Sequence, residues 1–256
     1  MSYITDREFY LRVVQGLETG YSVVHKFGEG NVSTTYVPVT TSLVYQTPTT
    51  LTSLEFVSSS VDDDSAGTGA REVTVVGIGT GWTEVTQTVV TDGTTPVALA
   101  TQLYRVYRWY VSASGTYATT AAGSHAGTMT LRVAGAGATW DTIGVTPYAH
   151  GQSQIGWYTV PISKKAYLME KKLYIDTTKS VDVALYKRDN ANDVATPYSG
   201  AMRIVEDETG VSGALYIPFA IPAYLGQGPM DVGFMAKVSA STANIAVEFS
   251  LLLVDV

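Results

Sequence analysis

The chain has 256 residues, of which 15% are charged, and it carries a formal net charge of -7 and no cysteine. The missing cysteine excludes disulfide frameworks, thiolate nucleophiles and cysteine-based zinc sites. The net negative charge repels polyphosphate and anionic lipid, so we expect neither nucleic acid nor a membrane as a partner.

The composition favours β-structure, because Thr, Val, Ala, Gly, Ser and Tyr are abundant and suit pleated surfaces and tight turns. We predict an all-β fold of one or two antiparallel β-sandwich or jelly-roll-like domains, preceded by a short N-terminal helix and an extended arm. The predicted divisions are 1–50 for the helix and arm, 51–145 for a first β-domain and 146–256 for a second.

The N-terminal segment predicts the single helix. Thr5 or Asp6 can cap it, Phe9 and Val13 lie one turn apart, and it should end at Gly16 or Gly20. Residues 21–50 then indicate an extended arm with no core of its own. We expect the aromatic side chains of this region to bury themselves on the body or on a neighbouring subunit: Tyr3, Phe9, Tyr10 and Tyr36.

Short strands bounded by turn residues follow the arm, a pattern typical of a sandwich or barrel. The predicted strands of the first β-domain are 54–58, 71–77, 82–91, 103–112 and 128–134. Residues 144–156 are the candidate boundary. The second half repeats the alternation at 181–186 and 232–238, and its last run, 245–253, predicts a central or well-covered strand.

Three stretches could suggest ligand chemistry. Asp62, Asp63 and Asp64 offer carboxylates, but hard cations need six or more convergent oxygens, so we interpret the run as a solvated acidic turn. The acidic run at 206–208 is a still weaker candidate for a metal site. Gly77, Gly79 and Gly81 are interpreted as hairpin glycines, because the sequence after them is strand-like rather than helical.

Catalytic motifs are not evident in the sequence. The three histidines are far apart, and no nucleophile elbow is present. The aromatic string at Tyr104, Tyr107, Trp109 and Tyr110 could stack on sugar rings, although such strings more often pack across strands. Glycosidases are harder to exclude, because their two carboxylates can come from anywhere in a β-fold. We expect a protein that is not an enzyme and that uses no cofactor or metal.

The segment 214–230 is largely apolar, contains no charged residue and includes three prolines. Because proline cannot donate to a central ladder, the segment should form a sheet edge or an ordered loop. Apolar edges often mark association sites, and the alternative is that the segment caps its own sandwich. The candidate contact residues here are Tyr216, Phe219, Ile221 and Tyr224.

Four stretches resemble landmarks of a family of tailed-bacteriophage virion structural proteins. They are Ser22–Gly28, Ala66–Val73 with Gly77, Gly151–Ile155 leading to Tyr158–Pro161, and Phe249–Asp255. The resemblance implies a component of the phage particle, made in the host cytoplasm, but carries no active site over to this chain.

Among particle roles, the size and β-character favour a capsid decoration (cement) protein that stabilises the head by protein contacts. Its expected partners are the major capsid protein or other virion proteins, and a homo-oligomer, with a trimer favoured. A tail or collar structural protein is the alternative, and a carbohydrate-binding tail protein is the second alternative.

Overall fold

The computed structural model describes residues 6–146 and 149–256, apart from the side chains of residues 6 and 7. The fold is all-β with antiparallel pairing and one short helix, as the sequence predicts. The elements of the first half are α1 (Asp6–Val14), β1 (Tyr21–Val32), β2 (Val37–Pro38), β3 (Leu54–Ser58), β4 (Ala70–Ile78), a 3-10 turn (Thr80–Trp82), β5 (Glu84–Val90), β6 (Val97–Ala98), β7 (Arg105–Ser114), β8 (Met129–Val133) and β9 (Thr139–Ile143).

The second half contains the longer strands. They are β10 (Trp157–Val160), β11 (Lys164–Ile175), β12 (Val181–Arg188), β13 (Met202–Val211), β14 (Gly213–Gln227), β15 (Met230–Val238) and β16 (Ala243–Asp255). Each strand predicted from alternation is present within a few residues of its predicted bounds.

The first sandwich consists of a four-stranded sheet, β6-β3-β8-β9, and a three-stranded sheet, β5-β4-β7. The sheets meet through apolar side chains, as in the edge-to-face contact of Phe56 on β3 with Trp109 on β7, whose ring centroids are 6.3 Å apart. Between β4 and β5, the glycines at 77, 79 and 81 lie in a hairpin with a single 3-10 turn, so the interpretation as hairpin glycines is confirmed.

The second sandwich pairs the sheet β1-β16-β11-β14 with the sheet β10-β15-β12-β13, and β2 adds to β15. Phe234 on β15 and Phe249 on β16 make an edge-to-face contact at 5.5 Å between the two sheets. The long alternating run near the C-terminus becomes β16, which has neighbours on both sides, as its periodicity predicts.

The segment predicted as an arm is in part a regular strand of the second sandwich. β1 pairs with β16 along its whole length, from Tyr21 opposite Val254 to Val32 opposite Ala243. The apolar residues of this segment therefore have a core to join, and Val32 and Val39 are fully buried. The proposed domain divisions stay a prediction, but β1 and the C-terminal strand share one sheet.

A buried ion pair joins the two sandwiches. Arg105 on β7 donates from Nε and Nη2 to the two carboxylate oxygens of Asp231 on β15, at 3.0 and 2.9 Å. Thr159 on β10 also donates to Asp231, at 2.6 Å. Both side chains are buried and the contact between them is bidentate. It therefore fixes β7 against β15 and holds the junction in one geometry.

A second junction contact uses a buried lysine. Lys26 on β1 donates from Nζ to the carbonyl of Tyr107 on β7. Burial, reinforced by the charge of Arg108, lowers the pKa of Lys26 from 10.5 to about 7. Burial also raises the pKa of the nearby Asp141 to about 6, although Trp109 and Ser42 donate to its carboxylate. Titratable groups therefore lie within the contact between the sandwiches.

Candidate partner-binding face

One side of the second sandwich carries a cleft of about 330 Å³ between α1 and β14. Its floor includes Val23 on β1, Met169 on β11 and Ser250 on β16. Tyr10, Val14, Tyr216 and Phe219 line the cleft, and Ile221 and Tyr224 are exposed on the same strand beside it. We call these six residues the α1–β14 face. The face therefore gathers residues from two segments that are some 200 positions apart in the sequence.

Among the described strands, β14 pairs with β11 alone and is an edge strand, which confirms the prediction from its prolines. Its register jumps from Ala223 opposite Leu168 to Pro218 opposite Glu170. Residues 219–222 therefore form a bulge opposite a single residue of β11. A proline at each end of this stretch removes a backbone N–H that a regular ladder would need, so the sequence itself favours the bulge.

The bulge and the strand around it expose large apolar side chains to solvent. Ile221 is 83% exposed, Tyr224 58% and Tyr216 55%. On α1, Val14 is 68% exposed, whereas Val13 is buried against the body. The cleft therefore has apolar walls on both sides that no part of the described chain covers.

Phe219 differs from its neighbours on the face, because it is half-buried and packs against the hydrophobic core. Leu215 and Ala223 on the same strand do the same. Tyr224 is exposed but rests on the ring of Tyr167, with centroids 5.2 Å apart. Part of the segment therefore covers its own sandwich, and Ile221, Tyr216 and Tyr224 form its free surface.

A polar network crosses the floor of the cleft. Ser250 and Tyr216 both donate to the carboxylate of Glu170, at 3.1 and 3.0 Å, and this contact raises the pKa of Tyr216. Nδ1 of His25 lies 3.3 Å from Oγ of Ser250. In a hydrolytic triad the histidine stands between the serine and the acid. Here Ser250 stands between His25 and Glu170, so the three residues do not have the order of a triad. Their hydrogen bonds order the floor of the cleft.

The remaining predicted contact residues have separate positions. Phe9 packs edge-on against Tyr10 and Tyr21, at 5.5 and 5.1 Å, which ties α1 to the start of β1. Tyr36 lies beside the other sheet, where it contacts Tyr186 at 6.2 Å and the Lys237 ammonium at 4.9 Å. Tyr3 lies outside the described residues. Among the four predicted residues of the N-terminal region, the structure places Tyr10 on the α1–β14 face.

The interpretation of residues 62–64 as a solvated acidic turn is wrong for the middle residue. Asp62 is exposed and Asp64 partly so, but Asp63 is fully buried, with no exposed surface. Its carboxylate accepts hydrogen bonds from the backbone N–H groups of Ala70, Ala126 and Gly127 and from the hydroxyl of Ser58, at 2.5–2.8 Å. It is therefore a structural centre that holds two loops together, not a solvated charge.

Other sequence features have structural roles too. Lys171, buried on β11, binds Glu206 and Glu208 on β13, so this acidic run closes the edge of the sandwich. In the aromatic string, Tyr107 and Trp109 are buried in the core, which leaves them unable to stack on a sugar. Within 6–146 and 149–256, no three His, Asp or Glu side chains gather as a metal site.

The sequence reasoning missed part of the face and the whole junction. Leu11, Val14 and Leu17 of the N-terminal segment are exposed, although a helix of that pattern could equally have buried them. The pairing of Arg105 with Asp231 has no local signal, because 126 positions separate the two residues. Among the helices that the structure describes, none is long and apolar enough to cross a membrane.

Comparisons with known proteins give little. No protein-family model matches the chain, and no curated protein matches it. Among solved structures, the Yersinia pseudotuberculosis-derived mitogen is 9% identical, with a TM-score of 0.20, over 36% of this chain and 80% of its own.

Two further structural neighbours are viral. A structure of infectious bursal disease virus, Gx strain, is 9% identical with a TM-score of 0.22, over 92% of this chain and 77% of its own. The VP2 subviral particle of the same virus is 10% identical with a TM-score of 0.21, over 92% and 76%. TM-scores this low carry no argument about the fold or function of this chain.

Proposed function

We propose that this chain is a non-enzymatic structural protein of a tailed-phage particle, specifically a capsid decoration (cement) protein that acts by protein contact. The observation that carries the proposal is the α1–β14 face, where large apolar side chains surround a cleft that the described chain leaves open. Apolar surface gathered in one place usually marks an association site.

The face has the features of a permanent contact. Its aromatic and aliphatic side chains, such as Tyr216, Ile221 and Tyr224, are of the types that dominate interface energies. The polar floor beneath them is already satisfied by internal hydrogen bonds, so covering it would leave few buried groups without partners. We propose a second copy of this chain as the occupant, in a homo-oligomer with a trimer favoured.

The particle role is supported by the landmark stretches that resemble tailed-phage structural proteins, including Ser22–Gly28 and Phe249–Asp255. In the structure these two stretches are neighbours, because β1 and β16 pair along their length. A tail or collar component is the alternative particle role, and it would use the same face.

Mass spectrometry of purified particles distinguishes these roles by copy number. A count that matches the many symmetric positions of the head supports decoration. A count that matches the rotational symmetry of the tail supports the alternative. Absence of the chain from particles overturns both.

The oligomer is tested by the double variant Ile221→Ser with Tyr224→Ser, followed by light scattering. These positions suit the test because they are exposed, whereas Phe219 packs on the core and would also change stability. The matched control is Val61→Ser with Tyr117→Ser, which removes equally exposed side chains from loops of the first sandwich.

We expect the first variant to shift the protein toward a folded monomer and the control to keep the oligomer. An unchanged oligomer in the first variant would place the interface elsewhere. A monomeric unmutated protein would refute the second copy as the occupant.

A further inference from the structure

A cavity of about 200 Å³ lies where the two sandwiches meet, and none of the residues of the α1–β14 face lines it. Its walls are the chain that links the sandwiches at 47–49, Arg105 on β7, Arg188 at the end of β12, and the connection from β12 to β13. Ligand sites form preferentially at such junctions between domains. The chemistry of these walls therefore indicates what the cavity could hold.

One of the two arginines, Arg105, already has hydrogen-bond partners within the protein. Arg105 donates from Nε and Nη2 to the carboxylate of Asp231, and its Nη1 donates to the carbonyls of Pro48 and Tyr104, at 3.2 and 2.9 Å. The guanidinium also lies over the ring of Trp82, 5.2 Å from its centroid. Arg105 therefore forms a rigid, electrically compensated wall of the cavity.

Arg188 is placed beside this pair but is not part of it. In the β12–β15 register it lies directly opposite Asp231, so the two side chains project from the same face of the sheet. Both oxygens of Asp231 are taken by Arg105, and one also accepts from Thr159. The nearest carboxylate across the sheet therefore has little capacity left for a second guanidinium.

The guanidinium of Arg188 has no protein partner among the described residues. It makes no hydrogen bond or ion pair there, and its Nε is buried without an acceptor. A buried donor left unpaired carries a substantial desolvation penalty, and a charged one carries more. Either a ligand or solvent must supply the acceptor.

The charged side chains that line the cavity are Arg105, Arg188 and Asp193. Asp231 compensates the charge of Arg105, so among the described residues the guanidinium of Arg188 is the positive group of the lining without an ion-pair partner. Asp193 is an ionised carboxylate at the border of the cavity, because its hydrogen bonds with Ser199 hold its pKa low, and it forms no ion pair with Arg188.

We propose that this cavity binds a small oxyanion, a carboxylate or a phosphate group, through Arg188. The planar guanidinium presents donors in a fork that matches two oxygens of either group. Thr47, Thr49 and Tyr198 line the same cavity and can add hydroxyl donors. The site is independent of the proposed particle role, and the bound group can be a free ion or can belong to another chain.

The test is calorimetric titration of the full chain with inorganic phosphate and, in a second arm, with acetate, both at constant ionic strength. The variant Arg188→Gln removes the charge and the fork. The matched control is Arg203→Gln, which removes an equal charge from the neighbouring strand, where the side chain is exposed and paired with Asp189. Arg188→Lys keeps the charge without the fork and serves if the glutamine variant does not fold.

We expect saturable binding of at least one probe, reduced about tenfold or more in Arg188→Gln and changed less than about twofold in Arg203→Gln. Preference for phosphate over acetate, or the reverse, identifies the group that the site takes. Failure of both probes to saturate overturns the proposal, as does equal weakening in the two glutamine variants, which would indicate diffuse attraction. Undiminished binding by Arg188→Lys and Arg188→Gln also overturns it.

Discussion

The substitution Asp63→Asn tests the structural centre of the acidic loop. Asp63 has no exposed surface, and its two oxygens accept four hydrogen bonds. One oxygen accepts from the N–H groups of Ala70 and Ala126, and the other from Ser58 and Gly127. An asparagine can keep the first oxygen, but its NH₂ group then replaces the second.

The cost follows from what each donor loses. The Ser58 hydroxyl can rotate and accept from the new NH₂ group, but the N–H of Gly127 would face another donor and remain buried without a partner. Hydrogen bonds to charged groups contribute about 1.5–3 kcal/mol each, and a buried donor left unpaired costs about 1–3 kcal/mol. We therefore expect Asp63→Asn to lower the free energy of unfolding by about 2–4 kcal/mol.

The assay is urea unfolding followed by circular dichroism, with Asp62→Asn as the matched control. Asp62 is exposed, and substitutions at such positions usually change stability by less than about half a kcal/mol. In thermal unfolding, the buried variant should melt roughly 5–15 °C lower than the unmutated protein. Equal stability of the two variants would refute the reasoning, and so would a calcium-dependent rise in melting temperature of the unmutated protein alone.

Three further predictions concern the junction and the N-terminus. The pKa of Lys26 falls from 10.5 to about 7 on folding, so the unfolded chain binds more protons between these values, and stability should rise with pH across that window. Lys26→Met should flatten this rise, which is at most about 1.4 kcal/mol per pH unit; equal slopes in urea titrations of both proteins would contradict it. Asp231→Asn leaves Arg105 buried without its counter-charge and should cost about 3–5 kcal/mol in the same assay, whereas Asp255→Asn, at an exposed pair, should cost little. We also predict that the first 50 residues act as a binding arm. Deletion of residues 1–20 should leave a folded β-body, since β1 begins at Tyr21, but one that binds particles poorly; normal incorporation of the truncated protein would end this hypothesis.

The sequence predicts features that depend on neighbouring residues. The strand 54–58 coincides with β3, because its alternation and the turn residues around it are local signals. The edge position of β14 follows equally directly from Pro218 and Pro222, since a missing N–H excludes a central strand whatever the rest of the fold does. Local chemistry is sufficient in both cases.

Features that depend on distant pairing are not predictable in this way. The strand 21–32 has no local signal for its partner, β16, which follows it by some 200 positions. Asp63 looks like its exposed neighbour Asp62, and it is buried only because the backbone at 126–127 folds over it. The pattern of three successive aspartates indicates a solvated turn, and the fold overrides that pattern at the middle residue.

The prolines of β14 also limit how the α1–β14 face can associate. A second copy that extended the sheet at this edge would need a regular row of N–H and C=O groups, and both the prolines and the bulge at 219–222 interrupt that row. Continuous strand addition is therefore disfavoured. The exposed side chain of Ile221 projects from the same interruption, and Tyr224 lies in the paired strand directly after it, so the bulge that prevents backbone pairing also contributes apolar surface. Association at this face must then depend on side-chain packing, and the serine double variant at these positions should act on the interface without altering the β-ladder.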